Sequence, residues 1–136
     1  MKGRITFFTL CLFITTVFSD CKKKDDSPII AVDNGNWKVS YLTEGTDDIT
    51  SHVSGYTFRF EKGGKAVASS SNTTVVGSWS AGADDSQLKF ILSFSSAPLN
   101  ELNEDWDVID QTPKTLQLRH TGGGSGGTDY LTFQKI

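Results

Sequence analysis

Apolar and polar side chains alternate along most of the chain from Gly35 to the C-terminus. Side chains two positions apart lie on the same side of a β-strand, so this alternation indicates strands with one buried face. The longest example is the stripe of Leu88, Phe90, Leu92 and Phe94. About eight such strands are predicted. The large side chains on their predicted inner faces are Trp37, Tyr41, Tyr56, Phe58, Phe60, Trp79, Leu88, Phe90, Leu92, Phe94, Trp106, Leu116, Leu118 and Phe133.

The predicted strands are joined by short segments rich in Gly, Asp and Pro, at residues 61–64, 81–85, 110–113 and 121–128. Such connections make hairpins and leave no room for crossover helices. One helical turn is predicted at residues 98–103. An antiparallel meander buries its apolar face and removes its exposed edges by closing on itself. We therefore predict an all-β fold, an up-and-down antiparallel β-barrel of about eight strands, with a two-sheet β-sandwich as the alternative.

The N-terminus has the three parts of a secretory signal. Residues 1–4 are basic, residues 5–18 are apolar, and a charged tract follows Cys21. The apolar run is too short and wrongly flanked for a membrane span. Residues 18–21 resemble a bacterial lipobox, and the tract after the cysteine resembles the tethers of Bacteroidetes-type lipoproteins. The resemblance implies lipidation of Cys21 and an outer-membrane lipoprotein of the cell envelope, on its periplasmic or surface-exposed face.

This interpretation divides the chain into a signal peptide at residues 1–20, a flexible tether at 21–34 and a barrel domain at 35–136. The alternative is ordinary signal peptidase cleavage after Ser19, which would leave Cys21 as a free thiol. In either case Cys11 leaves with the signal, so no internal disulfide can form. Removal of residues 1–20 leaves eleven basic and fifteen acidic side chains, a net charge of −4. A mildly acidic domain of this kind is not expected to bind nucleic acid.

Four short motifs in order give the domain a family resemblance. They are Gly35-Asn36-Trp37, Phe58-x-Phe60 with its glycine turn, Gly77-Ser78-Trp79 and Leu131-x-Phe133-x-Lys135. Together they resemble the lipocalin-like domains of small bacterial lipoproteins. The resemblance implies that Trp37 plugs one end of the barrel and that Arg119 or Lys135 covers its ring.

An eight-stranded barrel either fills its interior with side chains or holds one small ligand. The many large inner residues favour a filled interior. If a small hydrophobic ligand is bound, the expected contacts are Tyr41, Tyr56, Trp79 and Trp106, because Tyr and Trp combine an apolar body with a polar tip. The alternative function is an interaction or inhibitor module that acts through rim loops around a filled barrel.

No arrangement of nucleophile, base and orienting group is visible, so no catalytic residue is assigned and the protein is not expected to be an enzyme. The two histidines, His52 and His120, lack an evident third ligand for a metal, and no cofactor is expected. The acidic clusters at residues 47–48, 84–85 and 104–107 lack EF-hand spacing and are interpreted as solvated turns. The glycines of residues 121–128 predict a flexible hairpin tip.

Overall fold

A computed structural model describes Val32, residues 35–122 and residues 126–136. The predicted signal peptide, Cys21, the tether apart from Val32, and the middle of the glycine-rich loop lie outside the described residues.

The regular secondary structure of the described residues is almost entirely β. Two short 3₁₀ helices cover Thr50–His52 and Leu99–Leu102, and the second lies where a helical turn is predicted. The nine strands are β1 (Trp37–Glu44), β2 (Asp47–Asp48), β3 (Thr57–Glu61), β4 (Lys65–Ser69), β5 (Thr74–Asp84), β6 (Gln87–Ser93), β7 (Asp105–Gln111), β8 (Thr115–Thr121) and β9 (Thr128–Lys135).

All strands belong to one antiparallel sheet in the order β2-β1-β3-β4-β5-β6-β7-β8-β9. Pairing of β1 with β9, from Trp37 opposite Lys135 to Thr43 opposite Tyr130, closes this sheet. The predicted eight-stranded up-and-down barrel is therefore confirmed. The two-residue β2 is an extra strand that pairs only with the end of β1.

The hairpin between β5 and β6 is longer than the sequence pattern predicts. Residues 81–84 continue β5 and pair with β6 up to Asp84 opposite Gln87, so the turn predicted at 81–85 is wrong. Small side chains do not prevent pairing. The turn consists of Asp85 and Ser86, whose φ angles of 45° and 69° are the positive values that a type I′ hairpin turn requires.

The glycine of the Gly77-Ser78-Trp79 motif permits a close approach. A Cβ atom at Gly77 would overlap the carbonyl oxygen of Ser93 on β6 and the ring of Phe94. Packing therefore requires glycine at this position of the motif, because a larger residue would leave no room for Phe94 in the core.

Aromatic rings fill the middle of the barrel. The centroid of the Phe133 ring lies 5.3 Å from that of Phe58, 5.4 Å from Phe60 and 6.5 Å from Phe90, all with edge-to-face geometry. All four residues are buried. Edge-to-face pairs at these distances are attractive and leave little space between rings. The packing supports the prediction of a filled interior.

A bulge in β1 changes the direction of several side chains. The register with β9 shifts between Val39 and Tyr41, so that two successive residues, Ser40 and Tyr41, face solvent and Leu42 points inward. Tyr41 is 44% exposed, and its prediction as an inner-face residue is wrong. A single extra residue reverses the alternation of everything after it.

Candidate functional site at the Trp106 end of the barrel

The barrel has two ends with different chemistry. We call the end with the start of β1 and the end of β9 the Trp37 end, and the end with both 3₁₀ helices and the start of β7 the Trp106 end. At the Trp37 end, Trp37 is fully buried between β9 and β3. Lys135 Nζ lies 5.9 Å from the centroid of the Trp37 ring, so Lys135 is the covering residue.

A pocket of about 150 Å³ opens at the Trp106 end. Its apolar lining comes from Leu42 on β1, Ile49 before the first 3₁₀ helix, and Trp106 at the start of β7. The remaining lining is polar and consists of Thr43, Glu44, Asn100, Glu101, Glu104 and Asp129. Four of these six residues carry a carboxylate, and no lysine or arginine of the described residues lines the pocket.

Local hydrogen bonds hold the pocket walls. Trp106 is buried, and its indole Nε1 donates to the carbonyl oxygen of Leu102 at 3.0 Å. Asp129 Oδ1 accepts a hydrogen bond of 2.6 Å from the backbone of Gly45, which joins β9 to the end of β1. Leu42 donates its backbone N–H to Thr50 Oγ1 at 2.8 Å. Asp129 and Glu44 thus lie on paired strands, whereas Glu101 lies in the second 3₁₀ helix and Glu104 just before β7.

The segment beside Leu42 is braced by Asp48. The backbone N–H of Thr50 donates to Asp48 Oδ1 at 3.0 Å. Hydrogen bonding to Thr50, through its side chain and then its backbone, lowers the pKa of Asp48 below its ordinary value. The charged form of Asp48 therefore caps this turn.

Both histidines of the chain contact glutamates of this pocket. His52 Nδ1 lies 3.0 Å and 3.2 Å from the two carboxylate oxygens of Glu101, an ion pair that joins the two 3₁₀ helices when the ring is charged. His120 Nε2 lies 3.5 Å from Glu104 Oε2, and its Nδ1 lies 3.2 Å from the carbonyl oxygen of Asp105. The His120 ring meets Trp106 edge to face at 6.2 Å.

The four aromatic residues predicted to contact a ligand do not surround one space. Tyr41 lies on the outer face, and Tyr56 is half-buried beside Phe58. Trp79 is half-buried, packs edge to face on Phe60 and at a tilt on Phe90, and donates its indole N–H to the carbonyl oxygen of Glu61 at 2.9 Å. Only Trp106 lines the pocket described above.

The acidic cluster at residues 104–107 is not a solvated turn. Glu104 lines the pocket, whereas Asp105 and Asp107 lie on β7, where Lys89 Nζ contacts Asp107 at 2.6 Å and Asp105 at 3.8 Å. The hydrogen bond to Asp107 raises the pKa of Lys89 above its ordinary value. A shallow groove of about 240 Å³ on the outer face of β5 and β6 borders this ion pair.

Within residues 35–122 and 126–136, no three His, Cys, Asp or Glu side chains gather in a way that could hold a metal ion. The same part of the chain contains no helix with the length and hydropathy needed to cross a membrane.

Sequence reasoning missed most of the pocket. Glu44, Glu101 and Asp129 are separated by long stretches of chain, and Leu42 faces the pocket only because of the β1 bulge. The sequence does carry one signal for the pocket. It contains only two histidines, and each can pair with one of the carboxylates.

No family model matches the chain, and no curated protein matches it. Among solved structures, the chain is similar to the crystal structure of a DUF4847 family protein from Bacteroides vulgatus ATCC 8482. The TM-score is 0.47 and the sequence identity 18%, over 79% of this chain and 94% of that chain.

Proposed function

We propose that the protein is a non-enzymatic, lipid-anchored cell-envelope domain that binds a basic partner through the Trp106 end of a filled barrel. The observation that carries the proposal is the position of the polar pocket, which lies outside the ring cluster of Phe58, Phe60, Phe90 and Phe133. An apolar ligand in the interior would have to displace these rings. The rim needs no such rearrangement.

The size and charge of the pocket indicate which kind of chemical group it binds. Pockets for drug-sized ligands measure about 300–1,000 Å³, so a cavity of about 150 Å³ holds a group no larger than one side chain. Carboxylates on its walls favour a cation, and Leu42, Ile49 and Trp106 favour an alkyl stem. A lysine side chain of a partner protein or peptide combines both features.

The direction of the chain suits an anchored receptor. β1 begins at the Trp37 end, so a tether attached to Cys21 would enter the barrel opposite the pocket. Val32 is buried in the core, so at most the eleven residues 21–31 can span the distance from the anchor, about 40 Å when extended. In this arrangement the Trp37 end faces the membrane and the acidic pocket faces away from it.

The binding proposal is tested with Nα-acetyl-lysine methylamide and its neutral analogue Nα-acetyl-norleucine methylamide, followed by amide chemical shifts. The lysine probe should shift Thr43, Asn100 and Asp129, whereas the norleucine probe should not. A Glu101→Gln, Glu104→Gln double variant should lose the response, and Glu61→Gln at the other end should keep it. Equal shifts with both probes would contradict a site for cations.

A neutral apolar dye, N-phenyl-1-naphthylamine, tests the alternative of a hydrophobic ligand inside the barrel. We expect no saturable binding to the folded protein. Saturable binding that is lost on replacing Trp79 or Tyr56 would favour the interior-ligand function over the rim.

The anchor is tested by fractionation of cells that express the full chain. Cys21→Ala should move the protein from the membrane to the soluble fraction, because acyl chains contribute about 0.8 kcal/mol per buried methylene. Cys11→Ala, inside the predicted signal, is the matched control and should leave the protein in the membrane fraction. Membrane association that persists in Cys21→Ala would overturn the lipoprotein assignment.

A further inference from the structure

We propose that His52 and His120 act as internal cations that compete with the partner for the pocket, so that binding strengthens as pH rises through the histidine range. This inference rests on the proposed function, because it concerns the same pocket. It starts from an arrangement in which each histidine of the chain contacts a different glutamate of one cavity.

The hydrogen-bond geometry of His120 determines which of its forms can contact Glu104 favourably. The carbonyl oxygen of Asp105 can only accept, so Nδ1 must carry the proton in that contact. In a neutral ring Nε2 is then an unprotonated acceptor that faces the carboxylate of Glu104. Attraction at this contact requires the second proton. Loss of that proton therefore frees Glu104.

A neutral His52 ring likewise makes Glu101 more available to the partner. Its Nδ1 lies within hydrogen-bond distance of both carboxylate oxygens of Glu101. A neutral ring can still donate one hydrogen bond, but it no longer offsets the carboxylate's charge. Glu101 then becomes a better partner for an incoming ammonium group.

The surrounding charges act in the same direction. Among the described residues, the other charged side chains at this end are Glu44 on β1, Asp47 and Asp48 on β2, Asp105 on β7, and Asp129, the cross-strand partner of His120 on β9. All are acidic. The nearest cations on neighbouring strands are Lys89, paired with Asp107, and Arg119, on the opposite face of β8 from His120. When both rings are neutral, the pocket carries more negative charge, and no other cation among the described residues contacts its glutamates.

The test measures the dissociation constant of Nα-acetyl-lysine methylamide at pH 5.5 and pH 7.5 by amide shifts. Its ammonium group stays charged and most carboxylates stay ionised across this window. Exposed ion pairs change equilibria by a few-fold, so we expect the wild type to bind about two- to fivefold more tightly at pH 7.5 for each pair. A His52→Gln, His120→Gln double variant should lose this dependence and bind at both pH values.

The outcomes separate the two proposals. Absence of binding by the wild type at both pH values would overturn the proposed function. Binding with the same pH profile in the wild type and the double variant would overturn only the role of the histidines. The single variants provide the second measurement, since each should remove part of the dependence even if the double variant unfolds.

Discussion

The two ends of the barrel each bury one tryptophan but use it differently. Trp37 is fully buried, and its indole Nε1 has no acceptor among the described residues. Trp106 is equally buried, yet its indole donates to Leu102 and its ring contacts His120. The first is held by packing under Lys135, whereas the second is tied to a polar rim.

Under the proposed function, this contrast separates the residues that stabilise the barrel from those that bind the partner. Apolar burial at the Trp37 end is insensitive to pH and tolerates little change of shape. The two histidine–glutamate pairs at the Trp106 end contribute little to stability, because exposed ion pairs are weak. Under the proposed function, these pairs serve binding.

The largest expected effect follows from removing the buried indole of Trp37. Trp37→Ala should lower the free energy of unfolding by about 3–5 kcal/mol, the usual result of emptying a large aromatic site. Tyr41→Ala is the matched control, since Tyr41 is 44% exposed, and should change it by less than about 1 kcal/mol. Urea denaturation measures both. Similar losses would contradict the β1 bulge.

Replacing each tryptophan with phenylalanine sharpens the comparison. Both variants lose packing, but only Trp106→Phe also removes a hydrogen bond, the one to the carbonyl oxygen of Leu102. That oxygen keeps the Glu104 N–H as its second donor. We expect Trp106→Phe to be more destabilising than Trp37→Phe by about 1 kcal/mol, the net contribution of one hydrogen bond. The reverse order in urea denaturation would show that Trp37 Nε1 has a partner in solution.

Removing the ammonium group of Lys135, which lies over the Trp37 ring, should lower the stability by a smaller amount. Lys135→Met keeps the side-chain stem and removes the ammonium group, so we expect a loss of about 0.5–1 kcal/mol. Thermal unfolding of this variant is compared with Lys114→Met, an exposed lysine between β7 and β8. No difference between the two variants would mean that Lys135 acts through its stem alone.

The smallest expected effect is the loss, at low pH, of the stability that Glu61 contributes. Hydrogen bonds from Arg59 and then Lys65, with their charges, lower the pKa of Glu61 at the Trp37 end. Because the folded pKa lies below the unfolded one, this stabilisation is present at neutral pH and is lost as pH falls through the folded value. The stability difference between wild type and Glu61→Gln should therefore disappear in acid.

A pH series of urea denaturation measures this difference. Arg59→Met should reproduce more of the Glu61→Gln effect than Lys65→Met does. A difference that grows in acid would contradict the assigned direction.

The barrel could be predicted because its signal is repeated in every strand. Alternation in β3, β6 and β8 and the short turns imply a closed meander, and Trp37 lies at the start of the first strand, opposite Lys135 on the last strand. The pocket could not be predicted in the same way. Its residues meet only after the barrel closes, and one bulge in β1 exchanges Tyr41 for Leu42 on the inner face. The apolar–polar alternation in a sequence does not indicate where a bulge will interrupt it.

The seam between β1 and β9 has a consequence for folding kinetics. Other pairings join neighbouring strands in the sequence or skip only β2, whereas this seam joins Trp37 to Lys135 and continues to the bond from the Ile136 N–H to the carbonyl oxygen of Asn36. Closing a chain segment of about 100 residues costs about 4 kcal/mol of entropy beyond a constant. We expect the seam to form last in the wild type, and a circular permutant that links the two ends to fold faster with the same final barrel.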